Sequence, residues 1–486
     1  MLHRQKVPSI AIIGAGFSGL CMAIQLKKAG LGNFMLYEKA DRVGGTWREN
    51  TYPGVACDVP SHLYSFSFEP KADWSKVFSP GGEIQAYIED ITAKHDLLPN
   101  IRFGSELKKA EWLDKGWQLT FADGSVAHAD FLINGMGGLH IPRFPDIPGM
   151  KGFKGISYHT AEWNHEHDLT GKRVAVIGTA ASAIQLVPEI IDKVAHLDIY
   201  QRTPNWIMPR PFMEYSERAK KLFARFPLLE KLHRLQIYLL FEMRFPLFRR
   251  DRFFSKRATK MFIKHLEAQV SDPTLRDKLM PNYPIGCKRI LASDTYFPAI
   301  QCDHASLITE PINRVEADAI VTADEVRRPV DTIIYATGFK PWDQMEGVEI
   351  IGRNGITMND YLSQGIRAHR TVAMPGFPNQ FMLLGPNSGL GHNSVILMIE
   401  AQVSYILSAI KHTLATGAKV VEVKEEAANI FDTQLQHDLQ GTVWAGHCKS
   451  WYQGEDGRIF TLWPWGTRRY MREMKCANPE EYEFTA

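Results

Sequence analysis

SIAIIGAGFSGLCMAIQLKKAG, residues 9–30, is the stretch that decides the fold of this chain. Its first five residues are a β-branched apolar run, GAGFSG follows as a glycine turn, and the remainder is typical of an amphipathic helix. In such a unit Gly14 makes the tight turn, Gly16 lets the backbone approach a pyrophosphate, and Gly19 packs the helix on the strand. The helix N-terminus attracts the phosphate charge. The stretch therefore predicts a dinucleotide-binding α/β unit.

An acidic residue ends the second strand of this unit. FMLYE brings Glu38 about 20 residues beyond the glycines, where the ribose hydroxyls of a dinucleotide need an acceptor. A single glycine fingerprint also occurs in plain strand–helix turns, but strand, helix, second strand and acid together favour dinucleotide binding. A carboxylate at this position favours FAD or NAD over NADP, because it would repel a 2′-phosphate.

A second unit of the same kind follows later in the chain. RVAVIG, ending at Gly178, reads as a strand, TAASAIQLVPEII as a helix, and LDIYQR, ending at Arg202, as the next strand. Ala180 and Ala183 replace the second and third glycines, and the methyl group of Ala180 stands where a pyrophosphate would approach. Arg202 takes the place of the acid, and a guanidinium suits a 2′-phosphate. The first unit therefore predicts FAD and the second predicts NADPH.

Length and composition describe a globular protein of two or three domains. The chain has 486 residues, 45% of them hydrophobic and 23% charged, which is too long for one core and typical of neither disordered nor fibrous proteins. A formal net charge of +2 predicts no overall attraction to nucleic acid. We expect no signal peptide and no membrane span, because the first apolar run is short and no stretch of roughly 20 apolar residues is evident.

The cysteine pattern points to a reducing compartment. The six cysteines form no CxxC pair, so the sequence indicates neither a metal site nor a disulfide framework, and we expect a cytoplasmic protein. Other catalytic classes also lack their patterns, since there is no GxSxG elbow, no HExxH and no GK[ST] phosphate loop. Cys57 stands alone near the end of the first unit, where a redox disulfide would need two cysteines.

Residues 211–280 change in character and become helical and basic. Two interpretations are open: a patch for peripheral membrane contact or partner docking, or a helical insertion whose Leu232, Leu235 and Leu239 face the protein. We favour the insertion that packs its leucines inward. The clustered basic residues are Arg244, Arg249, Arg250, Arg252, Lys256 and Arg257.

Two further stretches carry longer fingerprints. GGTWRENTYPGVACD, residues 44–58, is too interrupted by glycine and proline for a helix or a strand. It fits the pattern [A/G]GxWxxxx[F/Y]P[G/M]xxxD at every defined position, through Gly45, Trp47, Tyr52, Pro53, Gly54 and Asp58. FKGISYHTAEWN fits FxGxxxHxxxW through Phe153, Gly155, His159 and Trp163, with Asn164 where Pro or Asp is expected.

These two fingerprints resemble those of the type I Baeyer-Villiger monooxygenases, and the resemblance runs from the first strand to about Trp451. It implies an α/β fold with two Rossmann-like dinucleotide-binding domains, for FAD and NADPH, and a helical insertion in the NADPH domain. The implied FAD domain comprises residues 1–142 and 341–486. The implied NADPH domain comprises residues 143–210 and 281–340, interrupted by the insertion at 211–280.

The resemblance also assigns roles to individual residues. Arg289, in YPIGCKR, looks like the catalytic arginine, with Asp58 as its carboxylate partner. Lys288 and Arg202 look like ligands of the 2′-phosphate, Trp451 like a contact on the nicotinamide side, and His159 like a structural or conformational residue. We expect no metal site. The expected cofactor-binding residues are Gly14, Gly16, Gly19, Glu38, Gly45, Thr46, Trp47, Asp58, Gly178, Thr179, Ser182, Arg202, Thr203, Lys288, Gly338 and Trp451.

The implied reaction is oxygen insertion next to a ketone carbonyl. In the family NADPH reduces FAD, O₂ adds at flavin C4a to give a peroxyflavin, and this attacks the ketone to yield an ester or lactone. Two alternatives stay open: oxidation of amines or sulfides with the same cofactors, and an NADPH oxidase or a non-catalytic flavin-binding protein. The sequence encodes neither the particular ketone nor the oligomeric state.

Overall fold

Two five-stranded parallel sheets form the framework of the protein. The computed structural model describes residues 7–210, 213–250, 252–340, 347–446, 450–454 and 456–486. The described strands are β1 (Ile10–Ile13), β2 (Phe34–Tyr37), β3 (Ile101–Arg102), β4 (Leu107–Leu113), β5 (Gly116–Phe121), β6 (Val126–Ala129), β7 (Phe131–Asn134), β8 (Ile156–His159), β9 (Arg173–Ile177), β10 (His196–Tyr200), β11 (Ile207–Met208), β12 (Leu291–Ala292), β13 (Ala305–Ile308), β14 (Ile312–Val315), β15 (Ala319–Thr322), β16 (Arg327–Pro329), β17 (Thr332–Tyr335), β18 (Glu349–Ile351), β19 (Gln380–Met382), β20 (Val420–Val423) and β21 (Tyr482–Thr485).

The α-helices cover the sheets and form most of the insertion. The described helices are α1 (Phe17–Lys28), α2 (Thr46–Glu49), α3 (Gly81–Lys94), α4 (Ala181–Ile190), α5 (Glu217–Arg225), α6 (Pro227–Glu242), α7 (Arg252–Gln269), α8 (Pro273–Leu279), α9 (Tyr296–Ala299), α10 (Met358–Ser363), α11 (Val395–Ala415), α12 (Glu425–Leu439) and α13 (Thr467–Glu473).

The first parallel sheet has the strand order β19-β7-β1-β2-β3. All four residues of β1 and of β7 are buried, as expected of central strands that are covered on both faces. Because β19 comes from the C-terminal part of the chain and pairs with β7, both ends of the sequence build this sheet. It carries the first glycine turn after β1.

The second parallel sheet has the order β13-β10-β9-β17-β8. It carries the second glycine turn after β9, and β8 brings the second fingerprint to its edge by pairing with β17. The predicted α/β fold with two Rossmann-like units is therefore confirmed. The strands β4–β6 and β14–β16 form smaller antiparallel layers, and β18 extends the first of them by pairing parallel to β4.

The helical insertion does not pack as the sequence predicted. Leu232, Leu235 and Leu239 of α6 are 52%, 48% and 49% exposed, so the expectation that they face the protein is wrong. The inner side of α6 carries other residues, among them Arg234, which donates to the carbonyl oxygens of His62 and Ser65. The side chain of Arg252, which belongs to the predicted basic cluster, lies outside the described residues.

One helix in the part of the chain that the structure describes is long and apolar enough to cross a membrane, by length and composition. This is α11, Val395–Ala415, with a mean hydropathy of 1.2. It packs against α1 and α13, and 61% of its apolar window is buried inside the protein. Such burial is typical of a core helix.

The cysteines depart from the sequence expectation at one position. Cys21, Cys57, Cys302 and Cys476 are free, whereas Cys287 is disulfide-bonded. Cys302 is its nearest neighbour in sequence and is free, so the bond is long-range and no short spacing could indicate it. Cys448 lies outside the described residues.

Candidate active site

A cavity of about 450 Å³ opens at the carboxyl end of β1. Parallel α/β sheets bind their ligands at this edge, where helix N-termini and loops converge. The first glycine turn, Glu38 and the start of the first fingerprint line the cavity. These are residues that the sequence assigned to FAD.

The glycines of the first turn leave room for a ligand and for close packing. Gly14 has φ +95°, and a Cβ atom there would lie 2.8 Å from the Gly135 carbonyl oxygen. A Cβ atom on Gly19 would lie 1.9 Å from the Gly14 carbonyl oxygen, so α1 packs directly on the turn. Gly16 and Gly45 face each other, since a Cβ atom on either would meet the Cα atom of the other at 3.2–3.6 Å. Bare backbone from the first glycine turn and from the first fingerprint therefore borders the cavity.

Glu38 is buried at the end of β2 and lines the cavity. Its carboxylate accepts hydrogen bonds from the backbone N–H groups of Ala15 at 2.8 Å and Ala40 at 3.0 Å. Arg48 lies 3.1 Å from the same carboxylate. Burial opposes the charge of Arg48, but Glu38 and Glu49 outweigh it and raise the pKa of Arg48.

Arg48 was missed at the sequence level, although it lies inside the first fingerprint at an undefined position. The neighbouring positions Thr46 and Trp47 were predicted, and both line the cavity. Trp47 donates from its indole N–H to the Tyr64 hydroxyl at 3.3 Å. This hydrogen bond orients the indole at the wall of the cavity.

The second half of the first fingerprint docks on the other nucleotide unit. The Tyr52 hydroxyl donates to Gln185 Oε1 at 2.8 Å, and Gln185 Nε2 donates to the Ala56 carbonyl at 3.0 Å. Gly54 has φ +79°, and a Cβ atom there would lie 2.4 Å from the Gln185 carbonyl oxygen. Because Gln185 belongs to α4, this stretch joins the two units.

The second glycine turn is tight without a complete glycine pattern. Gly178 has φ +110°, and a Cβ atom there would lie 2.5 Å from the Ala336 carbonyl oxygen. Thr179 follows and is buried, with Asn205 donating to its carbonyl oxygen at 2.9 Å. Ser182 is half-buried in the first turn of α4. Gly338 has φ +82° just beyond β17, which pairs with β9.

The two predicted 2′-phosphate ligands are close enough for their charges to interact. Arg202 is exposed after β10, Thr203 beside it is half-buried, and Lys288 comes from a distant loop. Burial, together with the positive charge of Arg202, lowers the pKa of Lys288. The Lys288 ammonium lies 4.7 Å from the centre of the Tyr283 ring. Two cations that repel one another form a suitable site for a doubly charged anion.

Arg289 and Asp58 are in contact, although 231 positions separate them in the sequence. Arg289 Nε donates to Asp58 Oδ2 at 3.0 Å, and Nη2 donates to the same oxygen. Their side chains are 44% and 35% exposed, so both remain open to a ligand. The Asp58 charge, opposed by burial, raises the pKa of Arg289, and the guanidinium therefore keeps its proton.

The loop before Arg289 is fixed by tryptophans. Trp206 Nε1 donates to the Tyr283 carbonyl at 3.1 Å, and Trp444 Nε1 donates to the Gly286 carbonyl at 3.0 Å. Directly after Arg289 the chain enters β12, which pairs with β11. The arginine is thus held between two anchored segments.

Two residues near this ion pair were missed at the sequence level. Arg210 donates to the Cys57 carbonyl at 2.9 Å, and burial lowers its pKa against the opposing charge of Asp58. Tyr452 is buried close enough to interact with Arg289, and its burial raises the pKa of its hydroxyl to about 12. Neither position belongs to a fingerprint, so no sequence signal singled them out.

Trp451 lies next to Tyr452 at the surface. Its side chain is 44% exposed, and its ring centre is 4.6 Å from that of Tyr452. Of these two aromatic residues, Tyr452 is the one that interacts with Arg289. The nicotinamide contact of Trp451 stays a prediction.

His159 is buried at the end of β8, away from the cavity. Its Nδ1 accepts from the Ala161 N–H at 3.1 Å, and burial lowers its pKa to about 4. Phe144 and Phe339 flank the ring. A neutral, enclosed imidazole suits the structural role expected of it.

The cavity residues suit a flavin dinucleotide. Bare glycine backbone borders the cavity on two sides, a buried carboxylate lies at the end of β2, and His140 Nδ1 is buried there without a partner in the described part of the chain. Among the described residues no group of three or more His, Cys, Asp or Glu could hold a metal ion.

Comparison with known proteins gives the family. The family described as pyridine nucleotide-disulphide oxidoreductase matches residues 11–220. A Pseudomonas aeruginosa protein named Baeyer-Villiger monooxygenase is 44% identical over 480 residues, which cover 98% of this chain and 91% of the relative. This chain belongs to the Baeyer-Villiger monooxygenases. The resemblance inferred from the two fingerprints is confirmed.

Solved structures agree with this assignment. A closed crystal structure of cyclohexanone monooxygenase matches this chain with a TM-score of 0.87 and 26% identity, covering 99% of each chain. An oxidized steroid monooxygenase bound to NADP matches with a TM-score of 0.86 and 27% identity, covering 98% of this chain and 99% of that one. The chain is therefore an FAD- and NADPH-dependent monooxygenase.

The disulphide oxidoreductase match reflects the nucleotide-binding units and not a redox disulfide. Residues 11–220 contain Cys21 and Cys57, and both are free and buried. This Baeyer-Villiger monooxygenase thus shares the binding units of that family without its cysteine pair.

Proposed function

We propose that this enzyme inserts oxygen next to the carbonyl of a ketone, with Arg289 as the fixed cation of the reaction and Asp58 as its positioning partner. The observation that carries the proposal is the contact between these two side chains at the junction of the two nucleotide units. Asp58 ends the fingerprint that borders the flavin-type cavity, and Arg289 follows directly on Lys288. The pair therefore links the two cofactor sites.

The protein's contribution to the chemistry is electrostatic. Bound FAD, once reduced by NADPH, would supply the electrons that activate O₂, and O₂ would supply the inserted oxygen atom. Arg289 stabilises negative charge on that oxygen and on the carbonyl oxygen of the tetrahedral adduct, an effect of roughly 3–4 kcal/mol for one well-placed donor. Asp58 holds the guanidinium through Nε and Nη2, so little reorganisation is needed when charge develops.

The expected cofactor ligands form two groups, one for each glycine turn. The expected FAD ligands are Gly14, Gly16, Gly19, Glu38, Gly45, Thr46 and Trp47, which surround one glycine turn and one cavity. The expected NADPH ligands are Gly178, Thr179, Ser182, Arg202, Thr203, Lys288, Gly338 and Trp451. The proximity of Arg202 and Lys288 supports a 2′-phosphate site, and the Arg210 contact beside Asp58 adds a further cation near the junction.

We also propose the domain division expected from the sequence, with the FAD domain at 1–142 and 341–486 and the NADPH domain at 143–210 and 281–340. The membership of β19 in the first sheet and of β17 in the second supports this division. A cytoplasmic location belongs to the same proposal. Four free cysteines favour a reducing compartment, although Cys287 is bonded.

The chemistry is tested by measuring ester, hydrogen peroxide and NADPH together in one reaction. Linear, cyclic and aryl ketones are compared with a thioether of similar size. We expect one ester formed per NADPH consumed with at least one ketone class. Peroxide in amounts equal to NADPH with every ketone would contradict the proposal, and turnover of the thioether alone would assign the enzyme to sulfur oxidation.

A further inference from the structure

Helix α6 of the insertion turns its apolar side away from the protein. Its exposed residues Leu228, Leu232, Leu235, Leu239 and Met243 recur at spacings of four, three, four and four positions, which puts them on one side of the helix over four turns. We call them the α6 leucine stripe. A surface helix of a globular protein normally buries such a stripe.

The opposite side of α6 anchors the helix. Glu230, Ile237 and Phe241 are buried, and Glu230 Oε1 lies 3.3 Å from His62 Nδ1. Ile237 and Phe241 pack with Leu63 in a small apolar cluster. The outward orientation of the leucine stripe is therefore fixed by specific contacts on the inner side.

Helix α5 packs next to α6 and presents a basic row. Arg218, Lys221 and Arg225 recur at spacings of three and four positions and are exposed. None of the three forms an ion pair with a carboxylate in the part of the chain that the structure describes. Phe226 connects the two helices and is itself exposed. Unpaired positive charge and an exposed apolar side therefore occur on two helices that pack against each other.

The insertion differs in charge from the rest of the protein. Residues 211–280 contain 16 Lys or Arg and 8 Asp or Glu, a net charge of +8, whereas the entire chain has +2. The remaining residues therefore carry −6. Pairing this surface with a second copy of itself would bring two strongly positive insertions together, which like-charge repulsion opposes. An acidic surface with an apolar interior complements both features.

We propose that α5 and α6 form a peripheral docking surface for an anionic phospholipid bilayer. The α5 basic row attracts the phosphate headgroups, and the α6 leucine stripe enters the boundary between headgroups and acyl chains, as in-plane amphipathic helices do. The surface is made by residues outside the proposed cofactor and catalytic set. Its function is therefore separable from oxygen insertion.

The first test is flotation of the FAD-loaded enzyme with lipid vesicles. Vesicles of phosphatidylcholine alone are compared with vesicles in which about a third of the lipid is phosphatidylglycerol, at low and at high salt. The enzyme is expected to float with the anionic vesicles, to float less at high salt, and to stay unbound with the neutral ones. Equal binding to both vesicle types, or binding to neither, would overturn the proposal.

Two triple variants separate the contributions of charge and apolar surface. Each is expected to weaken binding to anionic vesicles by at least about tenfold, while leaving NADPH-dependent turnover at the parent rate. The variants are Arg218→Glu with Lys221→Glu and Arg225→Glu, and Leu232→Ser with Leu235→Ser and Leu239→Ser.

Matched controls change exposed residues elsewhere in the same way. Both control triples are expected to bind vesicles like the parent, and a similar loss in them would show that the surface is not specific. Sedimentation of the lipid-free enzyme measures self-association. If the parent is a dimer and the leucine triple variant is a monomer, the leucine stripe binds a second copy of the chain, and the proposal is overturned. The controls are Lys115→Glu with Lys151→Glu and Lys475→Glu, and Leu98→Ser with Val126→Ser and Ile430→Ser.

Discussion

At the scale of single residues, burial and neighbouring charge account for the behaviour of the proposed site. Asp58 raises the pKa of Arg289, while burial and, to a smaller extent, the charge of Arg202 lower the pKa of Lys288. The raised pKa keeps the Arg289 guanidinium charged. The lowered pKa of Lys288 indicates a place where two cations repel each other and where an anion would be stabilised. Burial also lowers the pKa of His159, which lies between aromatic rings, so its imidazole is neutral near pH 7.

The 2′-phosphate site gives the first prediction at this scale. Arg202→Ala removes a charge-assisted hydrogen bond to the phosphate, so KM for NADPH is expected to rise roughly tenfold or more, and KM for NADH less than about twofold. Lys193→Ala, which removes an exposed positive charge from the same domain, serves as the control and should change neither. Equal losses with NADPH and NADH would remove Arg202 from the phosphate site.

His159 gives a prediction about pH and stability. Its pKa is lowered from 6.5 to about 4 in the folded protein, so between these values the unfolded chain binds the proton more readily. The contribution of His159 to the free energy of unfolding is fully present above pH 6.5. As the pH falls towards 4 this contribution is lost, and the free energy of unfolding decreases by up to about 3 kcal/mol.

His159→Asn removes this titration while keeping an acceptor for the Ala161 N–H. The variant should lose less stability than the parent between pH 6.5 and 4, measured by thermal unfolding at a series of pH values. The exposed His128→Asn is the control and should follow the parent profile. Parallel profiles for His159→Asn and the parent would contradict the assigned pKa.

At the scale of elements, the first fingerprint is explained as a segment with two contacts. Its first half borders the flavin-type cavity through Gly45 and Trp47, and its second half packs on α4 through Tyr52 and Gly54. The fingerprint thus requires glycine and tyrosine where two domains meet. Its final residue, Asp58, then reaches Arg289.

Two glycines with the same backbone angle test this explanation. Gly54 and Gly124 both have φ +79°, but only at Gly54 would a Cβ atom meet other atoms, among them the Gln185 carbonyl oxygen at 2.4 Å. Gly124→Ala should cost only backbone strain, about 1 kcal/mol, and Gly54→Ala roughly 1–3 kcal/mol more. Thermal unfolding compares them, and equal losses of stability would show that the α4 contact is unimportant.

At the scale of the whole molecule, the sequence predicted the features that repeat locally. The order of strand, glycine and helix predicted the turn after β1 and the turn after β9. The same pattern predicted the α/β fold. Arg210 and Tyr452 were not found, because their importance comes from contacts with residues far away in the chain. Arg48 was not found, because it stands at an undefined position of the first fingerprint and contacts Glu38 only once the chain has folded.

The orientation of α6 could not be predicted for a different physical reason. The spacing of Leu232, Leu235 and Leu239 shows that they share one side of the helix, but it carries no information on whether that side faces the core or the solvent. The contacts of the other side fix the orientation, and they are polar at Glu230 and Arg234 and apolar where Ile237 and Phe241 pack. The disulfide bond of Cys287 could not be predicted either, since pairing between cysteines that are distant in sequence leaves no spacing pattern.

The measurement that tests the central claim most directly follows Arg289→Ala through each half of the reaction. FAD content and the rate of anaerobic flavin reduction by NADPH should stay near those of the parent, because the glycine turns and the 2′-phosphate ligands are unchanged. Ester formation should fall at least about a hundredfold, with hydrogen peroxide taking its place. Ester formation at near the parental rate would contradict the assignment of Arg289 as the cation of oxygen insertion.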